Sequence, residues 1–144
     1  MAQDIEVYDV YDDFAEALIE DKDKVYVVNY WATWCAPCVK ELPYFEDLHT
    51  AYDDSEVEVV LVSIDFKNQY EKRLVPFLQK NEYSSRLIHM ADPKANDWIG
   101  KVDPDWTGTI PATLFIKGGK VKFVERAFSN YGELKKELDH FLNS

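Results

Sequence analysis

Cys35 and Cys38 are the only cysteines of the chain, and they stand in the segment Trp34-Cys35-Ala36-Pro37-Cys38. A pair at this C-x-x-C spacing suits thiol–disulfide exchange, which needs one thiol at a site that lowers its pKa. The segment before it, Val25-Tyr26-Val27-Val28-Asn29-Tyr30-Trp31, is the strongest apolar run of the chain and follows the charged stretch Asp21-Lys22-Asp23-Lys24. Being β-branched and aromatic, it predicts a buried central strand. After Pro37, the residues Val39, Leu42, Phe45 and Leu48 recur on one side with charges between them, which predicts an amphipathic helix. The cysteines are therefore expected where a strand hands over to a helix. There the unpaired N–H groups of the first turn and the helix dipole favour a thiolate. Pro37 suits that position, because a first-turn residue loses no needed N–H.

With no other cysteine to staple the fold, the pair reads as catalytic rather than structural. A tetrahedral zinc site would need further ligands, and His49, His89 and His140 are scattered with no second cysteine pair. Neither a metal nor a bound cofactor is expected. At 144 residues the chain is long enough for one domain, 1–144, with one core and no disulfide staples. Its net charge of −11, from 16 basic and 27 acidic residues, argues against nucleic acid or an anionic membrane as partner. No P-loop or glycine-rich dinucleotide fingerprint occurs, and no apolar run approaches a membrane span. Met1-Ala2-Gln3-Asp4 lacks the basic start and apolar core of a signal peptide. The expectation is a cytoplasmic chain as written, or a mature chain whose leader was replaced by Met.

Strands and helices alternate along the rest. Ile5 to Val10 predicts a short edge strand, and Tyr11 to Glu20 a helix with Phe14, Ala17 and Leu18 inward. Strand 25–31 and helix 36–52 follow, with Pro43 expected to kink the helix. Val57 to Ile64 predicts a second buried strand. Tyr70 to Asn81 predicts a helix in which Pro76 starts a new turn or bends the old one. Arg86 to Met90 reads as a short strand and Pro93 to Gly100 as a short helix. Ala112 to Lys117 and Lys120 to Arg126 predict a hairpin about Gly118-Gly119. Asn130 to Leu142 closes the chain as a helix with Leu134, Leu138, Phe141 and Leu142 inward. This pattern implies an α/β fold, a three-layer sandwich around a mixed central sheet.

The segment from Asn29 to Pro43, containing Trp34-Cys35-Ala36-Pro37-Cys38-Val39-Lys40-Glu41-Leu42-Pro43, resembles the active-site segment of the TlpA/ResA-type thioredoxin-like thiol–disulfide oxidoreductases. Thr109-Ile110-Pro111-Ala112-Thr113-Leu114-Phe115 resembles their second landmark, the cis-proline segment. The resemblance implies a thioredoxin-like fold over nearly the whole chain, with a helix–strand insertion at roughly 66–100. It further implies that Cys35 is the nucleophile, Cys38 the resolving thiol, and Pro111 the cis-proline opposite them. Ile110 would then pair with substrate through its backbone, and Trp34 would flank the thiol. Protein disulfides are the implied substrates, apocytochrome c or another exported protein among them, with a thiol electron donor in a bacterial extracytoplasmic setting. A monomer is expected, and the resemblance leaves a membrane anchor open.

Glu41 stands apart. Minimal thioredoxins carry a buried acid six positions before the first cysteine, where this chain has Asn29, and an amide cannot take up a proton at neutral pH. Glu41 lies one helical turn after Cys38, so its carboxylate can approach the pair. The resemblance places a functional glutamate there, expected to tune the thiols and accept the proton of Cys38. The plainer reading is a solvent-facing helix glutamate.

Other candidates have plainer readings too. His49 is expected at the surface and His89 as a satisfied core side chain. Asp103-Pro104-Asp105-Trp106-Thr107-Gly108 lacks the ligands of a calcium loop and is read as the loop presenting Pro111, with Trp98 or Trp106 lining a groove. Tyr44, Phe45 and Phe77 are expected in the core. Ala-Pro between the cysteines offers no histidine to stabilise the thiolate, which favours a reductase over a strong oxidant. Two other functions compete. One is a thiol peroxidase, whose nucleophile normally follows a Pro/Thr-rich loop; the other is a docking or metal- or haem-handling module without turnover.

Overall fold

The computed structural model describes residues 4–144. A six-stranded sheet runs through it in the order β1-β4-β3-β2-β5-β6. Its strands are β1 (Ile5–Tyr8), β2 (Val25–Trp31), β3 (Val57–Ser63), β4 (Arg86–Met90), β5 (Ala112–Lys117) and β6 (Lys120–Val124). The first four strands pair in parallel, and β5 and β6 add as an antiparallel hairpin, so the sheet is mixed as expected. The helices are α1 (Tyr11–Leu18), α2 (Ala36–Ala51), α3 (Val75–Asn81), α4 (Ala95–Val102) and α5 (Tyr131–Leu142).

All seven residues of β2 are buried, which is why its sequence is a continuous apolar run rather than an alternating one. Strand alternation divides them between two cores. Val25, Val27 and Trp31 join Leu42, Phe45 and Leu48 of α2 and Leu134, Leu138 and Phe141 of α5. Tyr26, Val28 and Tyr30 face the other way, towards Phe14 and Leu18 of α1 and Trp98 of α4. These are the three layers. Asn29 shares the strand parity of Val27 and Trp31, so it points to the α2 side. Gly118 turns the hairpin with φ +60°, a left-handed value that favours glycine.

Several boundaries differ from expectation. β1 stops at Tyr8, α1 at Leu18 and β6 at Val124. The helix expected from Pro93 begins at Ala95. Asp92 is the reason: its carboxylate accepts the N–H groups of Lys94 (2.9 Å) and Tyr11 (2.9 Å), an Asx-type turn before the helix. The stretch expected as one helix over 70–81 divides. Residues Lys67–Gln69 form a 3-10 turn and Tyr70–Leu74 a π turn, before α3. Pro76 sits in the first turn of α3, so it starts a new turn. Lacking an N–H, it cannot bond four residues back, and the Val75 N–H reaches instead to Tyr70 O, five residues back. By contrast, α2 runs on through Pro43.

Packing also corrects two residues. Ala17 is only half-buried. Leu142 is 36% exposed, whereas Leu134 and Leu138 are fully buried. Phe45 lies in the core as expected, with Tyr44 and Phe77 packed partly buried against it. Leu138→Ala should lower the unfolding free energy by about 2–5 kcal/mol, and Leu142→Ala by less than about 1 kcal/mol. Paired denaturant titrations test that contrast.

Candidate active site

β2 ends at Trp31, and three residues later the chain enters α2 with Cys35 as its N-cap. The bend is held from the neighbouring strand. Asp65, two residues beyond β3, accepts the Thr33 N–H (3.1 Å), the Thr33 hydroxyl (2.6 Å) and the Ser63 hydroxyl (2.6 Å). Cys35 N–H donates to Ala32 O at 3.1 Å, closing the turn. Cys38 N–H, a first-turn donor with no helical acceptor, donates to Cys35 Sγ at 3.3 Å. The two cysteines are joined in a disulfide with their Cα atoms 5.2 Å apart. Cys35 retains a small exposed face (7%), and Cys38 has none.

The Ile110–Pro111 peptide is cis, and Ile110 O lies 3.9 Å from Cys35 Sγ. The loop in front of it is pinned on both sides. The Trp106 indole N–H donates to Thr109 O at 2.8 Å. Glu125 accepts the Thr107 N–H at 3.2 Å and also its hydroxyl. Gly108 has φ +94°, and a Cβ there would meet Ile99 Cδ1 at 3.0 Å. Trp34 is 52% exposed beside the disulfide.

Glu41 is not solvent-facing; only 1% of it is exposed. Its carboxylate accepts the Phe128 N–H (3.1 Å) and the Asn29 side-chain amide (3.3 Å). Asn29 also donates to Thr113 Oγ1 at 3.2 Å, a partner that register places directly opposite it. Burial pushes the Glu41 carboxyl up from 4.5 to about 7, against the lowering effect of the Phe128 and Asn29 hydrogen bonds and the Arg126 charge. A carboxyl with that pKa exchanges protons in the neutral range.

The remaining candidates disperse. His49 lies beside Asp54 at 3.4 Å, half-buried rather than at the surface. His89 is buried with Nε2 2.8 Å from Asp65 O, but its Nδ1 has no partner among the described residues, so it is only half satisfied. Among the described residues no cluster of three or more His, Cys, Asp or Glu side chains could hold a metal. Asp65 and Phe128 carried no signal. Asp65 acts on a residue 32 positions away, and Phe128 acts through a backbone N–H that any residue but proline supplies.

The fold recurs in solved structures. The chain matches a DsbF homologue from Corynebacterium diphtheriae at TM-score 0.64 and 25% identity, covering 83% of this chain and 73% of that one. StoA from Bacillus subtilis matches at TM-score 0.60 and 25% identity, covering 81% and 84%. A thioredoxin-related protein from Neisseria meningitidis serogroup B matches in fold, at TM-score 0.68 and 22% identity over 87% and 90%. Fold and site together define a protein of the thioredoxin fold. Residues 2–124 match the AhpC/TSA family, and the chain belongs to that family. Curated relatives include the thiol-disulfide oxidoreductases ResA of Oceanobacillus iheyensis (31% identical, 81% of this chain, 57% of that protein) and Bacillus anthracis (31%, 84% and 63%). The resemblance drawn from the Cys35 segment therefore holds. The chain spans 57–63% of the length of these relatives.

The raised pKa of Glu41 ties stability to pH. Between about pH 4.5 and 7 the unfolded chain releases the Glu41 proton while the folded chain keeps it, so stability falls as pH rises through that window. The fall attributable to this group is about 3 kcal/mol at 1.36 kcal/mol per unit. Glu6, Asp53 and Asp92, whose pKa values are lowered, act in the opposite direction below that window. Glu41→Gln should flatten the fall, as read by urea unfolding of the oxidised protein, in which neither cysteine titrates.

Proposed function

We propose that the chain is a thiol–disulfide oxidoreductase that works through Cys35 and Cys38 as a reductant of protein disulfides. It acts as one domain over residues 1–144, outside the bacterial cytoplasm, on disulfides of exported proteins. The observation that carries this reading is the Cys35–Cys38 pair at the N-terminus of α2, facing the Ile110 carbonyl, with buried Glu41 one turn beyond Cys38. No helix among the described residues is long and apolar enough to cross a membrane.

In the reduced protein the thiolate of Cys35 attacks one sulfur of a substrate disulfide. The substrate S–S bond breaks, a mixed disulfide forms, and the first substrate sulfur leaves as thiolate. Cys38 then passes its proton to the Glu41 carboxylate and attacks Cys35 Sγ. The second substrate sulfur leaves, and the Cys35–Cys38 disulfide remains. Two electrons have moved from the dithiol to the substrate, and an external dithiol donor returns them. The N–H of Cys38 and the helix dipole stabilise the Cys35 thiolate. Ile110, beside cis-Pro111, offers its backbone to the substrate, and Trp34 flanks the exposed sulfur.

Two measurements check this. Cys38→Ser should accumulate mixed disulfides with exported proteins through Cys35, and the double cysteine variant should accumulate none. Equal capture by both would indicate docking without turnover, and peroxide consumption in place of adducts would indicate a peroxidase. The reduction potential of the pair should lie near the thioredoxin end of the scale, about −270 mV; a value near about −120 mV would reverse the direction of electron flow.

A further inference from the structure

A groove of about 390 Å³ opens beside the disulfide, lined among others by Trp34, Phe66, Trp98, Ile99, Trp106 and Gly108. That volume falls within the range of roughly 300–1,000 Å³ in which proteins hold small ligands. Its lining includes Trp34, the neighbour of Cys35. It also includes Gly108, two residues before Ile110, whose carbonyl faces Cys35 Sγ. Both segments that flank the disulfide therefore contribute to the groove.

Its rim is made of unusual surface. Among the described residues, Trp34 (52%) and Phe66 (70%) are the exposed aromatic side chains, and both line this groove. Trp98 and Trp106 are almost fully buried, so they form a fixed base. The Trp98 indole is held by Asp92 O (3.0 Å) and the Trp106 indole by Thr109 O (2.8 Å). The charged groups of the lining are already engaged within the chain. Asp65 accepts from Thr33 and Ser63, Asp92 from Tyr11 and Lys94, and Lys67 pairs with Asp9 at 3.2 Å. What the groove has left to offer a ligand is apolar area.

We infer that this groove is a specificity subsite, which takes a large apolar side chain, aromatic above all, lying within about three residues of the reacting cysteine of the substrate. Phe66 and Ile99 are its specificity determinants. This inference rests on the oxidoreductase reading.

The test uses the pre-reduced protein and synthetic single-cysteine peptides, each presented as its symmetrical disulfide. One parent has serine at the three positions on either side of cysteine, and its relatives carry tryptophan at one of those six positions. Quenched-flow alkylation reads the second-order rate at which each disulfide oxidises the Cys35–Cys38 dithiol, with glutathione disulfide as a substrate that cannot fill the groove. At least one tryptophan peptide should react about tenfold or more faster than the parent. Phe66→Ser should lower that ratio several-fold; as a ratio, it is insensitive to a general loss of activity. Equal rates for all peptides, with oxidation by glutathione disulfide retained, overturn the subsite and leave the oxidoreductase reading standing. A ratio unchanged in Phe66→Ser also overturns it. Failure of every disulfide to oxidise the dithiol overturns both.

Discussion

The site depends on one constraint, the position of β2 between β3 and β5. In register, Trp31 pairs with Ser63 on the parallel side and Tyr30 with Ala112 on the antiparallel side. Continuing the first pairing two residues past the strand ends brings Thr33 to Asp65, where their hydrogen bonds form. Continuing the second by one residue brings Pro111 opposite Trp31, so the loop before it meets the start of α2. The contact of Cys35 with Ile110 is therefore a consequence of strand register on two sides at once. A slip of one residue in either pairing would turn the side chains of β2 to the wrong faces and separate the cysteines from their loop.

Two carboxyl side chains are buried inside this frame among the described residues, and each is satisfied differently. Asp65 is a buried carboxylate with several strong donors, and it serves as a bracket for the bend before Cys35. Glu41 has two weaker contacts, one from a backbone N–H and one from Asn29 at 3.3 Å. That shortfall is what lets burial dominate and keeps its proton in play near neutrality. Asn29 Oδ1 has no partner among the described residues. The amide therefore has acceptor capacity to spare beside a carboxyl that is able to donate once protonated.

Much of the fold was legible because the periods were clean. β2, β3 and β4 match the apolar runs to within a residue, and α2 and α5 match the amphipathic patterns. Boundaries set by side-chain-to-backbone bonds were not: Asp92 delays α4 by occupying the Lys94 N–H before it. Leu142 fits the helical stripe of α5, but nothing packs over it at the end of the chain. The cysteine pair could be singled out by residue type and spacing, whereas Pro111 and a role for Glu41 beyond a solvent-facing one were implied by the family resemblance. The partners of Glu41 were not legible, since one is a backbone N–H 87 positions away in sequence.

Local pattern was enough to place most strands and helices to within a few residues, to put two thiols at a helix start, and to set one acid a turn beyond them. Those are local properties, carried by apolar period, helix geometry and the chemistry of cysteine. Tertiary structure alone decided that Asn29 and Phe128 would bury Glu41, that Asp65 would bind the bend before Cys35, and that Trp34, Phe66, Trp98 and Trp106 would share one groove. Each of these joins residues from separate elements, and their distances follow from sheet register and layer packing, which no local pattern encodes.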